Sequence, residues 1–119
     1  MNKSDDVISS FITSLPEVNK VPHFKKNAFK VRKKIFATLD EELQQINLKL
    51  TEIEQDVFKL VNTKAIYAVK NKWGKQGWTI FQINELEMSI LKEAIINAYC
   101  NVAPKKLLEQ RGIQKYVDS

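Results

Sequence analysis

The sequence predicts an α+β fold: one domain, residues 1–119, in which an antiparallel meander of strands is covered by an N-terminal and a C-terminal helix. Three observations carry this. Stretches where apolar residues recur at period two occupy the middle of the chain. Stretches at helical spacing, several opened by capping residues, flank and interrupt them. Length and composition fit one core and no more: 119 residues, 44% hydrophobic, with 3 glycines and 3 prolines.

The first helix is expected from about residue 5 to 15, where Val7, Ile8, Phe11, Ile12 and Leu15 share a face and Asp5 and Asp6 suit the positive end of the dipole. Pro16 stops it, and Pro22 is expected to keep the next stretch irregular. From residue 28 the period becomes two. Phe29 and Val31 alternate with Lys30 and Arg32; Ile35, Ala37 and Leu39 then alternate with Phe36, Thr38 and Asp40. Arg32, Lys33 and Lys34 become a hairpin tip. After a polar turn at 42–45, Ile46, Leu48 and Leu50 mark a third strand.

Thr51-Glu52-Ile53-Glu54 has the pattern of a capping box, so a second helix starts there, with Ile53, Val57, Leu60 and Val61 expected on its buried side and an end near Asn62. AIYAVK (65–70) and WTIFQI (78–83) are strand-like by their β-branched and aromatic content. The stretch KNKWGKQGW joins them as a second hairpin tip, where Gly74 and Gly77 would supply positive φ. Asn84-Glu85-Leu86-Glu87 repeats the capping logic and opens the longest helix, 85–101, with Leu91, Ala94, Ile95, Ala98, Tyr99 and Val102 on its apolar side. Pro104 suits the first position of a short last helix, 104–110, closed by Gly112. Phe11, Leu48, Ile80, Leu91 and Ile95 are expected in one core, and Trp78 with them.

Chemistry is sparse. The sequence has no glycine-rich phosphate loop, nucleophile elbow or paired-cysteine metal motif. His23 is the sole histidine, and Cys100, the sole cysteine, has no disulfide partner and is expected to be buried and unreactive. Asp40, Glu41 and Glu42 are consecutive, so they point in different directions and suit a solvated turn better than a metal. The expectation is a protein that is not an enzyme, with no catalytic residue, metal or cofactor. No apolar run reaches membrane-spanning length, and the first ten residues lack the apolar core of a signal peptide, so no membrane association and a cytoplasmic location are expected.

Charge is more informative. The net charge is +5, yet residues 20–34 hold Lys20, Lys25, Lys26, Lys30, Arg32, Lys33 and Lys34 with no acid, and residues 63–77 hold Lys64, Lys70, Lys72 and Lys75 with none. The rest of the chain is therefore net negative. Localised positive charge marks a surface for an anionic partner. Trp73, among lysines, has two readings: a ring folded onto the sheet, or an aromatic platform beside phosphate-binding cations.

Phe24 ahead of FKVRKKIFATL, then LKLT entering a helix, a lysine-bearing turn before GWTIFQI, and a helix ending in INAYCNV follow one another over residues 22–105. In this order and spacing the chain resembles the MmcQ/YjbR family of small bacterial proteins. The resemblance implies a CyaY-like fold and DNA binding through two protruding hairpins, a double wing. On this chain the first wing would be Arg32, Lys33 and Lys34, the second Lys70, Lys72, Trp73 and Lys75, with Lys49 a further contact at the sheet edge. Lysine outnumbers arginine here, and arginine's fork is the better reader of base edges. Binding directed by phosphates or DNA shape is therefore expected over sharp sequence readout. Iron binding, which the CyaY likeness would suggest, needs an acidic ridge that Asp5 and Asp6 do not make. The alternative is a protein-interaction module whose basic rim and Trp73 meet an acidic partner.

Overall fold

The computed structural model describes residues 3–117, with side chains from residue 6 onward. The elements run α1 (Lys3–Thr13), β1 (Val18–His23), β2 (Lys26–Val31), β3 (Lys34–Asp40), β4 (Gln45–Lys49), α2 (Glu52–Lys59), β5 (Ile66–Ala68), α3 (Lys72–Lys75), β6 (Trp78–Gln82), a 3-10 turn at Ile83–Glu85, α4 (Met88–Val102) and α5 (Lys105–Arg111). The six strands form one sheet in the order β1-β2-β3-β4-β6-β5, antiparallel at every pairing. The α+β expectation holds, with α1 and α4 packed on one face.

That face is the core. Ile8 and Ile12 of α1 meet Leu91, Ala94, Ile95, Ala98 and Tyr99 of α4 over Phe29, Phe36, Leu39, Ile46, Leu48 and Phe81 of the sheet. Phe36 and Tyr99 stack edge to face at 5.6 Å, and the Tyr99 hydroxyl donates to the Pro16 carbonyl at 2.7 Å. Each such fully buried apolar side chain contributes roughly 1.5–3 kcal/mol. Cys100 is buried, and burial raises its thiol above the ordinary value, with Lys115 opposing.

Several expectations give way to the tertiary structure. The stretch holding Pro22 is a regular strand: β1 is an edge strand, and Pro22, opposite Asn27, needs no donor on its outer side. In β3 the strict alternation fails. Pairing steps from Phe29↔Ala37 to Lys30↔Ile35, so Phe36 is an extra residue in a bulge that turns both Phe36 and Ala37 inward and Ile35 outward. Ile80 pairs with Asn47 and Tyr67 on the face away from α4, so it lies outside the core, as does Trp78. The second hairpin tip, at 70–77, is not a bare turn, because α3 forms within it.

The departure in α2 is largest. In α2 the anticipated inner residues are outside: Ile53, Val57, Leu60 and Val61 are all exposed, Leu60 at 81%. The inner side is Glu54, Gln55 and Phe58. The capping box itself is present, Thr51 and Glu54 bonding each other's amides at 3.1 and 2.8 Å. Glu54 is fully buried yet satisfied, since its carboxylate also accepts from Asn97 and Asn101 of α4 at 2.9 and 2.8 Å and pairs with Lys115 at 2.9 Å. Burial pushes this carboxyl upward, but the bonds from Asn101, Thr51 and Lys115, with the lysine's charge, together hold it below the ordinary value. Asn97 in turn bonds the backbone of Tyr116 and Val117, strapping the C-terminal segment to α4. At the other ends, α4 starts at Met88 with no side-chain cap, Pro104 is the residue before α5, and Gly112 closes α5 at φ 65°. The side chain of Asp5, expected near the helix dipole, lies outside the described residues.

Candidate nucleic-acid interface

Antiparallel register decides which turns share an end of the sheet. Ala37 pairs with Leu48, Leu48 with Thr79, and Lys49 with Trp78. The start of β3, the end of β4 and the start of β6 therefore lie together. The Arg32-Lys33 turn before β3 and the 70–77 segment before β6 both project from that end. Their centres are three strand positions apart, about 14 Å at the usual inter-strand spacing.

The acid-free blocks do not map wholly onto these turns. Lys25 sits in the β1–β2 turn at the opposite end, and Lys64 in the turn before β5 is there too. Lys20 donates to Ser9 of α1 at 3.1 Å. Lys26 and Lys30 lie on the face of the sheet that α1 and α4 leave uncovered. Seven of the eight residues predicted for binding cluster at the two turns; the eighth, Lys49, lies between them rather than at an edge, because β4 is an interior strand. Its ammonium donates to the Gln76 carbonyl and stands 5.9 Å from the Trp78 ring centre.

The first turn is minimal. Arg32 takes φ 57° and its guanidinium grips Glu17 with Nε to Oε1 at 3.0 Å and Nη2 to Oε2 at 3.4 Å. The hydrogen bond from Arg32, more than its charge, lowers the Glu17 carboxyl. Arg32 is thus engaged within the chain, while Lys33 and Lys34 are exposed and make no ion pair among the described residues. A groove of about 590 Å³ runs from them to Asn101 and Pro104.

The second turn is built. Asn71, at φ 74°, caps α3 by accepting from the Trp73 amide at 3.0 Å. Gly74 is buried and needed for close approach rather than for φ: a Cβ there would stand 1.9 Å from the Val69 carbonyl oxygen. Gly77 needs both, with φ 104° and the Leu50 oxygen 1.7 Å from any Cβ. The Gln55 amide donates to the carbonyls of Gly74 and Trp78 and to the Thr79 hydroxyl, fastening α3 to α2. The result presents Lys70, Lys72 and Lys75, all exposed, around a Trp73 that is 50% exposed. The half of that ring turned inward borders the groove on the uncovered sheet face. Glu52 and Asp56 of α2 line a shallow groove beside Lys75.

Sequence reasoning missed the uncovered face. His23, Lys26, Ile35, Thr38, Asn47, Val69, Trp73 and Trp78 line a groove of about 370 Å³ on it. The polar alternation of Gln45, Asn47 and Lys49 was the available signal, since it marks one side of β4 as unburied.

A family model named YjbR matches residues 13–101. The fold is similar to the crystal structure of Deinococcus radiodurans protein DR2400, which carries the family-model domain DUF419: TM-score 0.75 at 17% identity, covering 100% of this chain and 94% of that one. At that identity the likeness speaks for the fold alone. No curated protein matches the chain. Among the described residues no group of three or more His, Cys, Asp or Glu could hold a metal, and no helix is long and apolar enough to cross a membrane. A match across the sheet, the second turn and most of α4 carries the conclusion that this chain belongs to the YjbR family.

Proposed function

We propose that this protein binds nucleic acid, DNA in the first instance, as a non-enzymatic cytoplasmic protein gripping the duplex backbone with its two basic turns in the manner of a double wing. The observation that carries this is the placement of Lys33, Lys34, Lys70, Lys72 and Lys75 at one end of the sheet, none of them in an ion pair among the described residues. The two turns, about 14 Å apart, are spaced to meet phosphates on either side of a groove roughly 12 Å wide. Lysine is a point-charge phosphate ligand, so contacts of this kind set register and carry no sequence information. Arg32, held by Glu17, belongs to the frame of the first wing rather than to its contact surface.

Titration of the protein with random-sequence duplex at two salt concentrations tests the reading. Each true phosphate contact adds roughly 0.9 to the slope of log affinity against log salt. Lys72→Ala with Lys75→Ala should weaken binding to every duplex alike and flatten that slope by about 1.8. Absence of duplex binding at low salt, or an unchanged slope in the double variant, would end the duplex-gripping wings, and absence of single-strand binding as well would end the nucleic-acid reading.

A second reading has its own observation. The exposed stripe Ile53, Val57, Leu60 and Val61 on α2 is the kind of apolar patch that meets a protein partner. Its acidic neighbours Glu52 and Asp56 do not favour the acidic partner that the basic rim would suit. This reading predicts a contact insensitive to the lysine variants.

A further inference from the structure

Resting on the nucleic-acid reading, we infer that the uncovered sheet face seats an unpaired base, and that single-stranded nucleic acid is this protein's preferred ligand. The groove there joins two tryptophans of different origin: Trp73 from α3 and Trp78 from β6. Its volume, about 370 Å³, lies at the small end of the usual 300–1,000 Å³ range of ligand pockets. A base paired in a duplex has both faces covered by its neighbours, so aromatic walls reward only a base that has left the stack.

The floor is chemically suited to such a guest. Asn47 and Thr38 are cross-strand partners, both half-buried, and neither side chain is hydrogen-bonded within the described chain. An amide offers a donor and an acceptor to a base edge, and a hydroxyl offers either. Ile35 and Val69 complete the apolar walls.

Charge follows the same path. Lys49 lies beside the Trp78 ring, Lys26 and His23 line the far side of the groove, and Lys70, Lys72 and Lys75 stand at its α3 end. Of the acids at its far end, Asp40 is buried and accepts from the Leu43 amide at 3.0 Å, and Glu42 lies in the turn beyond it. A backbone crossing the face would meet lysines on both sides of the seated base. An open sheet face with aromatics stacked by splayed bases is a general solution to single-strand recognition.

The test uses the full chain with a fluorescein-labelled 12-nucleotide single strand and the same sequence as a duplex, at low salt, read by anisotropy and by intrinsic tryptophan fluorescence. The single strand should bind roughly 10-fold more tightly than the duplex and quench the tryptophans. Asn47→Ala removes no side-chain hydrogen bond among the described residues, so its melting temperature should be unchanged while single-strand affinity falls about 5-fold and duplex affinity stays put. Trp73→Ala should lose roughly 10-fold on the single strand and most of the quenching. Equal affinity for both forms, with no quenching and no effect of Asn47→Ala, would overturn the base seat. If Lys72→Ala with Lys75→Ala still weakened both forms in that case, the wings would stand without it. Tight quenching by single strands with no measurable duplex binding would instead uphold the seat and remove the wings.

Discussion

The two basic turns both present lysines at one end of the sheet, on opposite structural terms. The Arg32-Lys33 turn is two residues long, its backbone relieved only by the tolerance of Arg32 for φ 57° and its position braced by one exposed ion pair with Glu17. The 70–77 segment is a short helix whose backbone passes within contact of Val69 and Leu50, is capped by Asn71, and is pinned by a buried Gln55. A turn held by surface charge tolerates substitution because exposed pairs are screened by solvent. A turn held by backbone close approach does not, because a methyl group has nowhere to go. The second turn therefore holds the Trp73 ring at a more fixed place than the first turn holds its cations.

The most severe way to break the comparison is Gly77→Ala. Its Cβ would collide with the Leu50 oxygen, at a backbone angle that alanine resists, and the Leu50 amide to Gly77 carbonyl bond at 3.0 Å would be lost. A loss of about 4 kcal/mol in denaturant unfolding is expected. No glycine stands in the Arg32-Lys33 turn to be disturbed in this way. Retention of wild-type stability would show the close approach to be unimportant.

Next comes the support beneath the second turn. Glu54 anchors α2, which carries Gln55, so Glu54→Gln should cost on the order of 3 kcal/mol by setting an amide against the Asn97 and Asn101 donors and removing the charge that pairs with Lys115. The pH dependence has a definite sign. The folded carboxyl is held below its unfolded value, so its stabilisation is complete above the ordinary carboxylate range and is lost as pH falls through the lowered folded value. Acid unfolding curves should be shallower in Glu54→Gln than in the wild type. Parallel curves would mean that this carboxylate contributes nothing to the acid limb.

A smaller effect on stability, with a larger one on binding, is expected from Trp73→Ala. A ring exposed to 50% leaves little to lose on truncation, so the melting temperature should hardly move, while nucleic-acid binding drops by about 1 to 3 kcal/mol. A fall in stability on the scale of a core aromatic, 3–5 kcal/mol, would place the ring inside. The smallest change should come from Arg32→Ala. Its partner Glu17 is solvent-exposed, so no measurable change in melting temperature is expected, and duplex affinity should fall less than in Lys33→Ala. A larger affinity loss than Lys33→Ala would make the arginine a contact in its own right.

Much of this was legible before any coordinates. The Thr51 capping box, the left-handed Gly112 and the apolar face of α4 are local, and each is where the sequence places it. So are the cations of the candidate interface, because charge blocks are read directly. Other features were not legible, for reasons that can be named. The bulge at Phe36 depends on how β2 pairs with β3, which no single strand records. Gly74 reads as a turn glycine but answers to a carbonyl five residues earlier in the chain.

The helices α2 and α4 separate the two kinds of information most clearly. Both carry an apolar stripe at helical spacing, and spacing alone determined that each would be a helix with two unlike sides. Which side turns inward was decided by what each helix meets. α4 lies across the middle of the sheet, against a continuous set of buried apolar side chains. α2 meets the donors of Asn97, Asn101 and Lys115 and the acceptor carbonyls of the second turn, which a buried carboxylate and a buried amide satisfy and aliphatic side chains would leave stranded. The sequence by itself determined the elements, the caps and the positive charge. Only the tertiary structure decided that Glu54 and Gln55 go in, that Ile53 and Leu60 stay out, and that lysines from two distant stretches stand at one end of one sheet. Those choices rest on partners far apart in the chain, and no local pattern encodes them.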